Sequence, residues 1–389
     1  MQRAYLDHAA TTPMVPEAIE AMTRQLGSVG NPSSLHSSGR AARRVVEEAR
    51  ESIAQRLGAV PAEVVFTSGG TEADNQAVKG GWWAAANRDP GRTRLVITAI
   101  EHHAVLDTAV WLRDHEGAQL SLAPADSRGV LDLESYAGLV DEATALVSVM
   151  WANNEIGTIQ PVREAAEIAA RHGALSHSDA VQAVGHAAVD FGASGLDLLS
   201  CTAHKLGGPV GIGALLVRRG LELTPVLHGG GQERDLRSGT VDVAAVAGFA
   251  AALEVAERNR IAEDARLRCL RADLTTGVLA AAPDAVLNTV AGTATLPGVL
   301  SVTFPGCEAD AMLMLLDAAG IDCATGSACS AGVAEASHVL VAIGRSERES
   351  RSTLRFSLGA TSTATDVELL LAAMPETLAR ARRAGSLVV

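Results

Sequence analysis

Short apolar runs recur along the first two thirds of the chain, with amphipathic stretches between them. VVFT (64–67), RLVITAI (94–100), ALVSVMW (145–151), DLLS (197–200) and GALLV (213–217) have the length of buried strands. SSGRAARRVVEEARESIAQRLG carries its apolar residues at helical spacing and predicts a helix with Ser37 or Ser38 as N-cap and Gly58 as its stop. TEADNQAVKGGWWAAA and REAAEIAARH predict further helices between strands. This alternation, from about residue 38 to 255, predicts an α/β layer architecture with a largely parallel sheet. After residue 255 the order changes. A long helix (EVAERNRIAEDARLRCLRADL), a strand (LSVTF, 300–304), a helix (EADAMLMLLDAAG), a loop around Cys329, a strand (TLRFSL) and a last helix predict a smaller α+β domain. The charged stretch ETLARARRAG reads as the solvated face of that last helix. Two domains also suit 389 residues at roughly 150 per domain.

Composition narrows the classes of function. Hydrophobic residues make up 48% but aromatics only 3%, so alanine, leucine and valine must do most of the packing. A charged fraction of 20% argues against disorder. The net charge of −13 disfavours nucleic acid or an anionic membrane as the main partner. No apolar run reaches the ~18 residues of a membrane span, and the start MQRAYLDHAATTP has no secretory h-region, so a cytoplasmic location is expected. Five cysteines, sparse and odd in number, fit a reducing compartment. None forms a C-x-x-C pair, and the adjacent His102 and His103 lack helical metal spacing, so no metal site is expected.

Four motifs carry chemistry. SGGTEADN (68–75) follows a predicted strand and opens a helix; its glycines and free amides suit an anion, although an ordinary strand-to-helix turn reads the same way. In HSDAVQAVG (177–185), Asp179 sits past a strand end, where α/β proteins bind ligands. It is either a structural cap or the partner of a cofactor's pyridine nitrogen. In CTAHKLGGPVGIGALLV (201–217), Lys205 lies in an apolar, glycine-rich setting, where burial would make its amine a nucleophile fit for a Schiff base. A surface lysine in a turn is the alternative. Those glycines precede their strand, the wrong order for a dinucleotide loop. TGSACSAG (325–332) surrounds Cys329 with small residues, a composition suited either to an exposed reactive thiolate or to a plain turn.

Together these motifs resemble the cysteine desulfurases of the IscS/NifS type, in the class V aminotransferase group of fold-type I pyridoxal-phosphate enzymes. The resemblance spans essentially the whole chain, through YLDHAATTP, NPSSLHSSGR, GGTEADN, EHHAVLD, ANNEIG, HSDAVQ, AHK, HGGGQERDLRSGT, GSACSAG and LRFSLG in that order. It implies a large cofactor domain (15–255) and a small domain (1–14 with 256–389) that carries the cysteine loop. It implies pyridoxal 5'-phosphate, held covalently by Lys205, with His102 stacked on the ring and assisting proton transfer. Asp179 would pair with the ring nitrogen and Gln182 with the phenolic oxygen. Gly70, Thr71, Thr202 and His204 would hold the phosphate, and Thr240 would reach the phosphate of the other subunit of a homodimer. Asn153 and Arg355 would bind the substrate carboxylate, a task that suits arginine's planar fork.

The implied reaction converts L-cysteine to L-alanine and leaves the sulfur on Cys329 as a persulfide. Acceptors would be an iron–sulfur scaffold or a tRNA-thiolation protein, with at most a transient contact between Cys329 and an iron–sulfur cluster. Departures from the family pattern are small: Thr202 where serine is common, Gly-Gly-Thr where Gly-Ala-Thr is frequent, and SAGVAEASHVL after Cys329 where many members carry a proline. Other class V enzymes, an aminotransferase or a selenocysteine lyase, share Lys205 and Asp179 but do not need the Cys329 loop. A non-catalytic sulfur relay would need neither the lysine nor the aspartate.

Overall fold

The computed structural model describes residues 3–326 and 336–385, so Cys329 lies outside the described residues. Its strands are β1 (Ala4–Tyr5), β2 (Val64–Thr67), β3 (Arg94–Thr98), β4 (Gln119–Ala123), β5 (Thr144–Ser148), β6 (Leu175–Asp179), β7 (Leu198–Thr202), β8 (Gly213–Val217), β9 (Val286–Leu287), β10 (Val299–Thr303), β11 (Ile321–Asp322) and β12 (Thr353–Ser357). Seven of them form one sheet in the order β2-β8-β7-β6-β5-β3-β4. Only β8 runs antiparallel to its neighbours. The α/β expectation holds. Parallel strands must be joined by crossovers, and those crossovers leave the C-terminal ends of β3, β5, β6 and β7 along one edge, where such sheets bind ligands.

Two strands of this sheet leave no apolar run in the sequence. β4 is an edge strand, and its residues are partly exposed. β6 reads LSHSD, and its last four residues are buried although all are polar. Cross-strand hydrogen bonding satisfies its histidine: His177 Nδ1 is bonded to Ser148 Oγ and His177 Nε2 to Ser200 Oγ, each at 2.9 Å. A periodicity reading sees apolar burial and misses burial by hydrogen bonding. The helix Ser37–Arg56 also starts differently from expectation. Its N-cap is His36, whose Nδ1 accepts the Gly39 N–H (3.3 Å), so Ser37 and Ser38 fall in the first turn. A ring nitrogen does here what a serine oxygen does at most N-termini.

A second apolar cluster gathers Leu300, Val302, Leu354 and Phe356 of the sheet β12-β10-β9 with Met312, Leu316, Leu370 and Met374 of two helices. Ala4 and Leu6 belong to it, through the parallel pairing of β1 with β11. One helix, Val243–Ala281, serves both cores: Val246, Phe249 and Leu253 pack into the large one, Leu267, Leu274 and Val278 into the small one. The boundary expected at 255/256 falls inside this continuous helix. In the last helix, Ala364–Gly385, Leu370, Leu378 and Ala381 are buried, so only part of its charged C-terminal half faces water. Among the described residues no helix is long and apolar enough to cross a membrane.

The segment that leads to Thr240 is tied down by a buried ion pair. Glu233 accepts from both Arg50 Nη1 and Nη2 at 2.8 Å and from the Phe66 N–H at 2.9 Å. Removing one member of such a pair strands the other charge away from water. Glu233→Ala should therefore lower stability by about 3–5 kcal/mol, read as an earlier midpoint in urea unfolding. An unchanged midpoint would show that the pair carries no such weight.

Candidate active site

A cavity of about 470 Å³ opens at the C-terminal edge of the large sheet. Lys205 enters it from the turn that follows β7. The chain's first residues cover that turn: Val15 N–H donates to Gly207 O, and Thr12 N–H to His204 O. The Lys205 amine donates to the carbonyls of Ala9 (2.6 Å) and Ala10 (2.7 Å). Burial pushes the lysine pKa down to about 8, and Arg355 adds to the shift while Asp7 and Asp179 oppose it.

Acidic groups crowd the same cavity. One carboxylate oxygen each from Asp74 and Asp179 and a ring nitrogen of His102 lie within 4.8 Å of one another. Asp179 Oδ1 accepts the Val181 N–H at 2.9 Å. Asp74 Oδ1 and Glu101 Oε2 are buried and have no hydrogen-bond partner among the described residues. Burial, and then the neighbouring Asp179, push the Asp74 carboxyl well above its ordinary range. Burial likewise raises Glu101 to about 8, with Asp179 contributing. Asp179 is itself raised by burial but pulled back by His102, Val181 and Lys205. Like charges this close cannot all ionise, and Asp179 has the partners that favour its anion. His102 is held below its usual pKa by burial. Its Nδ1 accepts the Ala104 N–H (3.1 Å), which leaves the ring proton on Nε2.

Gly70, Thr71, Gln182, Thr202, His204 and Arg355 also line the cavity. Gly70 opens the helix Gly70–Arg88, where amides lack intrahelical partners; a Cβ on Gly70 would come within 2.5 Å of Val181 Cγ2. Gly213 allows the second close approach, since a Cβ there would meet Gly69 backbone at 2.8 Å. Thr202 Oγ1 donates to Ile212 O (3.0 Å), and Gln182 Nε2 donates to Ala9 O (2.7 Å). Burial, then the nearby Lys205, lower His204 to about 4, so its ring is neutral. Arg355 is almost fully buried. Its Nη2 donates to Asp7 Oδ1 (2.8 Å), its Nη1 to Asn154 O (2.9 Å), and its Nε has no partner among the described residues.

Two expected residues lie elsewhere. Asn153 does not line the cavity. Its Nδ2 donates to Ile100 O (3.0 Å) and its Oδ1 accepts from the N–H groups of Glu155 and Ile156, while its neighbour Asn154 lines the cavity. Adjacent residues in a turn point in different directions, and the motif ANNEIG alone does not say which asparagine faces inward. Thr240 is exposed and outside the cavity. Asp7, Glu101, His103, Glu155 and His338 line it without having been singled out. All but His338 sat inside quoted motifs. The carbonyls of Ala9 and Ala10 have no side-chain signature at all. Cys323 is pushed up to about 12 by burial, which keeps its thiol protonated and inert.

Comparison with known proteins matches residues 4–370 to the aminotransferase class-V family model. The chain belongs to the aminotransferase class-V family. Over 384 residues, 98% of each chain, it is 54% identical to an IscS-like cysteine desulfurase of Mycobacterium tuberculosis. It is 41% identical over 384 residues to the cysteine desulfurase IscS of Methanosarcina thermophila, covering 98% of this chain and 94% of that one. Among solved structures it is similar to a NifS-like protein (TM-score 0.90, 36% identity, 97% of this chain and 100% of that one). It is also similar to SspA in complex with cysteine (TM-score 0.79, 32% identity, 93% and 100%).

The cofactor of this class V chain is pyridoxal 5'-phosphate. The cavity's own chemistry fits it. Asp179, where the negative charge settles, calls for a cationic N–H, which a protonated pyridine supplies. The helix start at Gly70 with Thr71, Thr202 and His204 suits a phosphate. A lysine with its pKa brought to about 8 suits an aldehyde. The neutral amine is the nucleophile, and it is populated above the folded pKa. Capture of added cofactor by cofactor-free protein should therefore accelerate between about pH 7 and 9 and level off above that, followed by stopped-flow absorbance. A rate still climbing past the ordinary lysine value of 10.5 would refute the depressed pKa.

Proposed function

We propose that this protein is a pyridoxal-phosphate-dependent cysteine desulfurase that converts L-cysteine to L-alanine and passes the sulfur to Cys329. One observation carries the reading. Lys205, Asp179 and Arg355 line a single cavity in a chain that is similar over its whole length to cysteine desulfurases. When bound, the cofactor supplies an aldehyde for Lys205 and a protonated ring that takes up electrons from the substrate's α-carbon. Asp179 holds the proton on that ring nitrogen. Lys205, its pKa lowered by burial to about 8, removes the α-proton from its neutral form. Gln182 bonds the phenolic oxygen, and His102, proton on Nε2, stacks on the ring and assists proton transfer. Arg355, with a free Nε–H, binds the substrate carboxylate, and Asn154 takes the place expected of Asn153. The Cys329 thiolate attacks the substrate sulfur. An S–S bond forms, the C–S bond breaks, and the pair left on carbon takes up a proton as alanine departs.

The chain would divide into a cofactor domain over 15–255 and a smaller one over 1–14 and 256–389. Its acceptors would be an iron–sulfur scaffold or a tRNA-thiolation protein. The cytoplasm, a reducing compartment, keeps a thiolate nucleophile available. The working unit would be a homodimer in which Thr240 reaches the partner's phosphate site. Its exposure at the end of a segment anchored by Glu233 supports that reading. Thr240→Val should then weaken cofactor retention in a manner that depends on protein concentration, and sedimentation should find a dimer. A cofactor-loaded, active monomer would refute it.

Cys329→Ala decides the chemistry. The variant should keep the visible cofactor spectrum and respond to cysteine, because Lys205, Asp179 and His102 are untouched. Catalytic release of alanine and sulfide should fall to background, and Cys329→Ser should do little better, because a hydroxyl is scarcely ionised near neutral pH. Alanine released from cysteine at the wild-type rate by Cys329→Ala would overturn the persulfide route in favour of a lyase.

A further inference from the structure

Glu155 sits in the turn after β5, buried, with its own N–H donating to Asn153 Oδ1 at 2.8 Å. Its Oε2 accepts the Ser337 hydroxyl at 2.5 Å. The same oxygen faces Gly326, where a Cβ would stand 3.3 Å from it. Gly326 precedes and Ser337 follows the nine positions 327–335 that contain Cys329. One carboxylate oxygen therefore bonds the downstream flank of that segment and stands beside the upstream one.

Each flank has further ties to the cavity wall. Upstream, Ala324 and Arg355 exchange two backbone hydrogen bonds, 2.7 and 3.2 Å. Downstream, Ser337 N–H donates to Ser350 Oγ (2.7 Å), Ser337 Oγ accepts the Leu340 N–H (3.2 Å), and His338 Nε2 is bonded to Glu101 O (2.8 Å). Ala324, Gly326 and His338 all line the cavity, as does Glu155. Covalent geometry does the rest. Cys329 lies three positions after Gly326, a reach of at most about 11 Å.

We propose that Glu155 is a positioning residue: by holding Ser337, the downstream flank of the Cys329 segment, at the cavity wall, it raises the effective concentration of the thiol at the substrate sulfur. This rests on the desulfurase reading above. A tethered nucleophile reacts faster as its anchor points are fixed nearer the target, with no new contact to the reacting atoms. Burial holds the Glu155 carboxyl above its ordinary range, against the opposing Ser337 hydrogen bond and the nearby Arg355 and His103. A glutamine is therefore a close substitute, since its amide oxygen can still accept from Ser337.

The test is a single turnover of the holoenzyme with cysteine. The cofactor spectrum is followed optically, and the persulfide on Cys329 by alkylation and mass spectrometry. Glu155→Ala should slow persulfide formation about tenfold or more, while the cysteine-induced spectral change keeps its rate within about twofold. Glu155→Gln should recover most of the persulfide rate. Ser337→Ala, which deletes only the hydrogen bond, should slow persulfide formation several-fold, and it decides the matter if Glu155→Ala does not fold. Wild-type persulfide rates in both Glu155→Ala and Ser337→Ala would overturn the proposal. So would parallel losses of spectral response and persulfide, the mark of a merely structural role. Absence of a Cys329 persulfide in the wild-type enzyme would instead sink the desulfurase reading, and this proposal with it.

Discussion

Lys205 and the carboxylates of Asp74, Glu101 and Asp179 share a cavity with little water to solvate them. Their mutual electrostatics constrain everything else at the site. In such surroundings a charge costs free energy unless a partner stands beside it. The lysine gives up part of its basicity, Asp74 and Glu101 hold their protons, and the anion settles on Asp179, beside the Val181 amide and near Lys205 and His102. The unpartnered oxygens of Asp74 and Glu101 are what this arrangement leaves unsatisfied. A cofactor with a protonatable ring and an aldehyde meets both demands at once.

That electrostatic arrangement is held by chain segments far apart in sequence. The carbonyls of Ala9 and Ala10 orient the lysine amine, and Asp7 reaches Arg355 across almost the whole chain length. The strand ends after β3, β5, β6 and β7 deliver Glu101, Asn154, Asp179 and Lys205 to one edge. The helix Val243–Ala281 links the core beneath that edge to the core that supports Arg355. A rigid element shared by two cores couples their positions, so the arginine and the lysine are placed relative to one another by packing and not by a linker.

One central strand of the sheet, β6, stands on polar side chains instead of apolar ones. Ser148, His177 and Ser200 form a chain of hydrogen bonds across β5, β6 and β7 directly below Asp179. Burial lowers His177 to about 3, so the ring stays neutral beside Asp74 and serves as a spacer with two polar ends. Such a network tolerates few substitutions, because each lost partner leaves a buried polar atom unpaired.

The sequence by itself determined the architecture and, through its motifs, the family. The apolar runs at 64–67 and 213–217 are strands with those same bounds. Gly70, Asp179, Gln182, Thr202, His204, Lys205 and Arg355, singled out by the family resemblance of the motifs that carry them, all line the cavity. Only the tertiary structure decided which of Asn153 and Asn154 faces the cavity, since both occupy one turn and direction is set by the bonds that capture the first side chain. Only it showed β6 running through polar residues to Asp179, because hydrogen bonding across neighbouring strands leaves no periodic trace. It alone revealed the carbonyls of Ala9 and Ala10 and the bond between Glu155 and Ser337 on the downstream flank of the Cys329 segment. Backbone atoms have no residue type to read, and contacts over such separations are made by the packing of two cores, which no local stretch of sequence contains.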